Sequence, residues 1–229
     1  MSTKTRPSFR SWFALSMLTI VGALCSGALI ASNMGHIATA HLDKAGSGGS
    51  KSGTNTINLP YGLGPNILTA KNLMDDITFA NVASVSRFVE TSDGFELYTG
   101  RKGSPSPDFN LASGECYYVT MLTTTDYTVV GNDKPSFAVT LNAPQAGVSK
   151  SGSNFVSLPF NITAGTAKAL MDDIGFSNVN SVSRFIKTTD GLEIYTGRKG
   201  TPNASFPITH DECYFIVMGG TVNYTASHY

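Results

Sequence analysis

Short runs of alternating apolar and polar residues dominate this chain, broken by one helical stretch, and the whole order occurs twice. In the first occurrence Asn55–Leu59 alternates and stops at Pro60, which suits a strand ended by proline. Thr69 is a good helix N-cap, and Ala70, Leu73, Met74 and Ile77 follow at the spacing of one helix face, so a short helix is expected there. Val82–Glu90 alternates again and reads as a strand. Ser92-Asp93-Gly94 is a turn leading into the strand Phe95–Tyr98. Residues 100–114 are rich in Gly, Pro and Ser and read as a loop. Glu115–Thr123 is the most apolar strand, and Tyr127–Val130 is the last.

The repetition is explicit. The segment Thr69 to Ile77 returns as Thr166 to Ile174, Ser84-Val85-Ser86-Arg87-Phe88 as Ser181-Val182-Ser183-Arg184-Phe185, and Glu115-Cys116-Tyr117 as Glu212-Cys213-Tyr214, all 97 residues later. Upstream, Ser52-Gly53, Asn55 and Leu59-Pro60 return 99 residues later, so copy one carries two extra residues in its 61–68 loop. The expected fold is therefore α+β and β-rich: two tandem copies of a small, mostly antiparallel sheet with one short helix each. The boundaries read as 1–40 for an export segment, 41–50 for a flexible linker, 51–131 for copy one, 132–149 for a linker containing a strand, and 150–229 for copy two. Phe137–Leu141 is a credible strand before copy two, whereas Ala38–Leu42 is a weaker counterpart before copy one. Nothing like residues 133–141 follows copy two, so unequal sheet edges are expected, and an uncovered edge accepts a strand from another chain.

The first residues change the picture of where the chain works. Lys4, Arg6 and Arg10 precede an uncharged stretch from Phe13 to Ala31, and Ala38-Thr39-Ala40 supplies small residues for signal-peptidase cleavage before His41. That layout predicts export to the cell surface, the periplasm or the medium. Two alternatives stay open: cleavage after Ser26-Gly27-Ala28, and an uncleaved anchor in which residues 13–31 are the only membrane contact. Leu24 before Cys25 argues against a lipoprotein.

Formal net charge is zero and only 14% of residues are charged, which gives no electrostatic case for nucleic acid. No constellation for catalysis stands out. Asp75-Asp76 and Asp172-Asp173 are adjacent on a helix and point about 100° apart, so they do not converge on one ligand. His36, His41, His210 and His228 are scattered, with no metal-ligand spacing. Neither a G-x-S-x-G elbow nor a calcium loop occurs, and Gly48-Gly49-Ser50-Lys51-Ser52 fails as a phosphate loop at Ser50. No enzyme activity, metal or cofactor is expected.

Three features carry the remaining expectations. Cys116 and Cys213 hold the same place in each copy; the first reading is buried free thiols, with an intermolecular disulfide as the minority reading, because equivalent positions of side-by-side domains rarely come within bridging distance. Arg101-Lys102 and Arg198-Lys199 follow Tyr98 and Tyr195 at strand ends; as a site they would offer cations and a stacking ring to a carboxylated glycan or acidic partner, and as structure they are solvated turns. Arg87 and Arg184 lie within strands, with Glu96 and Glu193 as cross-strand partners.

The elements Gly152-Ser153-Asn154-Phe155-Val156-Ser157-Leu158-Pro159, Thr166 to Ile174, Val179 to Phe185, Tyr195 to Gly197 and Asp211 to Val217 resemble a tandem-repeat module of secreted and surface-anchored bacterial proteins. Copy one matches equally, except that Asn58 stands where copy two has Ser157. The resemblance covers nearly all of residues 51–229 and implies an exported, non-enzymatic surface module. In a bacterial chain the sequons at Asn161, Asn203 and Asn223 carry no expectation. The expected function is a structural or interaction protein that associates with itself or another envelope protein, the alternative being glycan or envelope binding through the Arg-Lys loops.

Overall fold

The computed structural model describes residues 35–47, 49–59, 67–101, 106–112, 115–132, 138–159, 162–197, 204–210 and 212–226. Residues 13–31, with the proposed export segment, lie outside them; among the described residues no helix is long and apolar enough to cross a membrane.

Copy one runs β1 (Gly35–Leu42), β2 (Thr54–Asn58), α1 (Ala70–Ile77), β3 (Val82–Val89), β4 (Gly94–Tyr98), β5 (Cys116–Met121) and β6 (Thr125–Asn132). Copy two repeats it as β7 (Ala138–Leu141), β8 (Ser153–Ser157), α2 (Ala167–Ile174), β9 (Val179–Ile186), β10 (Gly191–Tyr195), β11 (Cys213–Met218) and β12 (Val222–Thr225). Each copy forms a four-stranded antiparallel sheet, ordered β2-β5-β3-β4 and β8-β11-β9-β10, plus a two-stranded ribbon, β1-β6 and β7-β12. The expected β-rich α+β architecture is what forms.

The helices form where the pattern placed them. Thr69 accepts a hydrogen bond from the Asn72 amide and Thr166 one from the Ala169 amide, which satisfies an orphan donor at each N-terminus. Ala70, Leu73, Met74 and Ile77, and their counterparts in α2, are buried against the sheet. Asp76 accepts from the Tyr127 hydroxyl at 2.7 Å and Asp173 from Tyr224 at 2.6 Å, tying each helix to the last strand of its ribbon.

The ribbons correct two expectations. Each copy has its own first strand pairing its own last strand, so the two ribbons are equal in kind rather than unequal. Copy one also begins before residue 51: β1 occupies Gly35–Leu42, Asp43 and Ser50 are buried, and Gly46 donates to the Ser50 carbonyl, so the described residues of 41–50 form a folded crossing rather than a flexible linker. Asn55 holds that crossing. Its carboxamide exchanges two hydrogen bonds with the Asp43 backbone, as a strand partner would, and Asn154 does the same with Asn142. This explains the repeated asparagine.

Alternate residues of the central strands face opposite ways, and both faces are buried. Tyr117, Val119 and Met121 of β5 join the core under α1, and Tyr214, Ile216 and Met218 of β11 join the core under α2. Cys116, Tyr118 and Cys213 belong to a third cluster with Phe155, against which Phe88, Phe185 and Phe215 pack. The two sheets therefore meet through the faces away from their helices, and Gly35–Tyr229 is one compact unit.

Candidate binding site between the two sheets

Contacts between the copies come in reciprocal pairs. Lys51 donates its amide to the Lys187 carbonyl at 2.9 Å, and Lys150 donates to Glu90 at 2.8 Å. The Ser52 hydroxyl donates to Asp190 at 2.8 Å, and Ser151 to Asp93 at 2.7 Å. Phe88 meets Phe215 edge-on with centroids 5.2 Å apart, and Tyr118 meets Phe185 at 5.3 Å. Residue i of copy one touches residue j of copy two and the reverse, which is the signature of two-fold pairing, here inside one chain.

That symmetry corrects the reading of the cysteines. Equivalent residues of two objects touch each other only near a two-fold axis, and Cys116 and Cys213 sit there, Cα atoms 5.8 Å apart, joined as a disulfide within the chain. Both are buried. They are neither free thiols nor an intermolecular bridge; side-by-side domains would have kept them apart, but face-to-face sheets do not.

The sheets do not cover one another completely. On the copy-one side a trough of about 520 Å³ opens between them. Hydroxyls of Thr54, Ser84, Ser86 and Thr120, from the inward positions of β2, β3 and β5, line one part of it. The rings of Phe88, Phe95, Tyr118, Phe185 and Phe215, with Leu97 and Leu192, line the rest. Phe95 is 53% exposed, Leu97 44% and Leu192 48%, although alternation in β4 and β10 aims them at the same side as the buried aromatic cluster. Among the described residues Asp190 is the one carboxylate of the lining, and no cation lines it.

Tyr118 is the unusual member. It is 9% exposed, stacks on Phe155 at 5.1 Å, and among the described residues no donor or acceptor reaches its hydroxyl; burial alone pushes that hydroxyl's pKa up. A buried hydroxyl without a partner costs about 1–3 kcal/mol. The same position in copy two is Phe215, which meets Phe88 edge-on as Tyr118 meets Phe185, but stacks on Phe155 of its own sheet, whereas Tyr118 reaches Phe155 across the boundary.

The residues singled out from sequence lie elsewhere. Tyr98 and Tyr195 are half-buried against the helix-side cores. Arg101 is exposed; Lys102, Arg198 and Lys199 lie outside the described residues. The repeated Tyr-Thr-Gly before them has a packing reason. Gly100 and Gly197 have φ of +61° and +65°, and a Cβ on either would stand 2.6 Å from a ring carbon of Phe79 or Phe176.

The other repeated polar groups also have local partners. Arg87 bonds Glu96 at 2.7 Å and lies 4.8 Å from the centre of the Phe109 ring, while Arg184 bonds Glu193 at 2.8 Å and lies 4.9 Å from Phe206. Asp75 and Asp172 pair with Lys71 and Lys168 one turn back, so the adjacent aspartates of each helix diverge. Among the described residues no three His, Cys, Asp or Glu side chains gather as metal ligands.

Sequence reasoning missed the trough because its residues are spread over four strands of copy one and three of copy two. The legible signal was β5, Cys116-Tyr117-Tyr118-Val119-Thr120-Met121, apolar on both faces and so expected to be covered twice. Comparison of the chain with protein-family models, with curated proteins and with solved structures found no match.

Proposed function

We propose that the chain is an exported, non-catalytic binding protein of the bacterial cell surface or extracellular space, acting as a stapled double module that presents the inter-sheet trough to a ligand. The observation that carries this reading is the Cys116–Cys213 disulfide across the two-fold axis. Structural disulfides persist in oxidising compartments and are rare in the cytosol. The arginine–glutamate and helix carboxylate pairs are consumed in holding the fold, and the carboxylates with shifted pKa, Asp43 and Glu90, lie in contacts between the copies, away from the trough. Both facts favour binding over catalysis. The module-like motifs point the same way.

The test is to alkylate free thiols in intact cells, recover the protein from each cell fraction and map its peptides. A Cys116–Cys213 linked pair in the exported fraction is expected. Cytosolic protein with both thiols alkylated would overturn the reading.

A further inference from the structure

We propose that the trough binds an uncharged, mostly apolar small molecule carrying one hydrogen-bonding oxygen, and that the Tyr118 hydroxyl receives that oxygen. This rests on the reading of the chain as a binding protein, and names the ligand class.

Size comes first. A volume of about 520 Å³ falls within the range of small-molecule sites, roughly 300–1,000 Å³. A stable protein interface needs a much larger, continuous surface, on the order of 1,000 Å² or more. Charge comes next. Among the described residues no cation lines the trough to hold an anion, and Asp190 already accepts from Ser52. An anionic ligand would meet that carboxylate and nothing to offset it. The aromatic and leucine lining suits an alkyl or aryl group.

Tyr118 supplies the polar point. The phenyl ring of Phe215 makes with Phe88 the same edge-on contact that Tyr118 makes with Phe185, so that reciprocal contact does not use the Tyr118 hydroxyl. It lines the trough nine-tenths buried and without a partner among the described residues. A ligand oxygen there gives the hydroxyl the hydrogen-bond partner that the protein does not supply, and such a bond discriminates between ligands with and without that oxygen.

The test uses the oxidised full chain and two neutral fluorescent probes. Prodan is a naphthalene carrying an acyl carbonyl; 2-dimethylaminonaphthalene is the same ring system without it. Prodan is expected to bind saturably with a blue shift, and Tyr118→Phe to weaken it by about tenfold while leaving the carbonyl-free probe unchanged. Leu97→Glu, at an exposed position, is expected to abolish both. Thermal melts of the variants separate lost binding from lost folding. No saturable prodan binding up to ~100 μM, or equal affinity for native protein and Tyr118→Phe, overturns the proposal. Stronger binding of an anionic naphthalene sulfonate than of prodan overturns its charge assignment. The thiol map is independent of these titrations, so failure of the ligand class and failure of the export reading are distinguishable.

Discussion

Asp43 and Lys187 form an ion pair of 2.5 Å across the boundary between the copies, and the two-fold-related pair is Asn142 donating to Glu90 at 3.0 Å. The duplicated surfaces have diverged into complementary halves. Pairing copy one with another copy one would set Asp43 against Glu90, two carboxylates, whereas the pairing of copy one with copy two satisfies all four residues. The repeat thus encodes which module pairs with which.

The charge pattern makes a double-mutant prediction. Asp43 has a side chain only 7% exposed, so Lys187→Glu leaves a buried carboxylate beside a like charge and costs about 2–4 kcal/mol. Adding Asp43→Asn recreates the Asn142–Glu90 pairing on the opposite side and recovers at least half of the loss. Urea midpoints of the two single variants and the double variant measure the coupling. A double variant weaker than Lys187→Glu alone would show that the pairing is not what these residues contribute.

The same residues predict opposite responses to pH. The hydrogen bond from Lys187 holds the Asp43 carboxyl below its ordinary pKa, against the effect of its burial. Its contribution is present above the unfolded value of about 3.9 and is lost as pH falls through the lower folded value. Burial raises Glu90, and the Asn142 hydrogen bond only partly opposes this. Its contribution is present below the unfolded value of about 4.3 and is lost as pH rises through the folded one. Glu90→Gln should therefore raise the urea midpoint at pH 8 and leave it nearly unchanged at pH 4, while Asp43→Asn lowers it at pH 8 with the difference closing in acid.

The disulfide closes 97 residues of chain. The chain-entropy treatment gives about 4–5 kcal/mol for a loop of that size, and native disulfides usually deliver about 2–5 kcal/mol. Cys116→Ser with Cys213→Ser should lower stability by about 2–4 kcal/mol without changing the oligomeric state. On a non-reducing gel the native chain should run as a monomer, faster than its reduced form. A reductant-sensitive dimer band would contradict the pairing within one chain.

Backbone strain differs between the copies at one position. Thr78 closes α1 with φ of +103°, a region that disfavours a β-branched residue, and copy two has Gly175 there with φ of +106°. Thr78→Gly is expected to stabilise the chain by about 0.5–1 kcal/mol, the relief of strain exceeding the added unfolded-state entropy. Differential scanning calorimetry would show a higher melting temperature; a lower one would mean that the threonine side chain contributes more than its backbone costs.

Local physics was legible in the sequence and long-range symmetry was not. Thr69, the Ala70-Leu73-Met74-Ile77 stripe and the Arg87–Glu96 and Arg184–Glu193 pairs each follow from spacing within one element or one hairpin, and each is found in the fold. Strand β1 was only half legible, as a weak strand over Ala38–Leu42, because Gly35–Leu42 mixes His36, Thr39 and His41 into its alternation and runs into a Gly-Ser segment; its pairing is decided by β6, about ninety residues away. The disulfide and the trough depend on how one sheet is turned onto the other. A repeat of identical modules is compatible with side-by-side or face-to-face placement, and only the second brings Cys116 to Cys213 and leaves Phe95 and Leu97 at the rim.

Strand β1 also limits where an export signal can be removed. Cleavage after Ala40 would take Gly35–Ala40 out of the ribbon, leaving only His41 and Leu42 opposite Asp126 and Thr125. Tyr127, Thr128, Val129, Val130, Gly131 and Asn132 would lose their partners, and with them the hydrogen bond between Thr39 and Thr128 and the packing of Ala40 on the copy-one core. Unpaired backbone along six residues of an edge is both destabilising and open to aggregation. Cleavage after Ser26-Gly27-Ala28 leaves β1 whole. If the chain is exported as proposed, intact mass and N-terminal sequencing of the protein recovered from cells should therefore place its first residue at Leu29. A chain made to begin at His41 should melt lower and show increased light scattering. A native N-terminus at His41 would mean that the β1–β6 ribbon is dispensable, and retention of Met1 would identify residues 13–31 as an anchor.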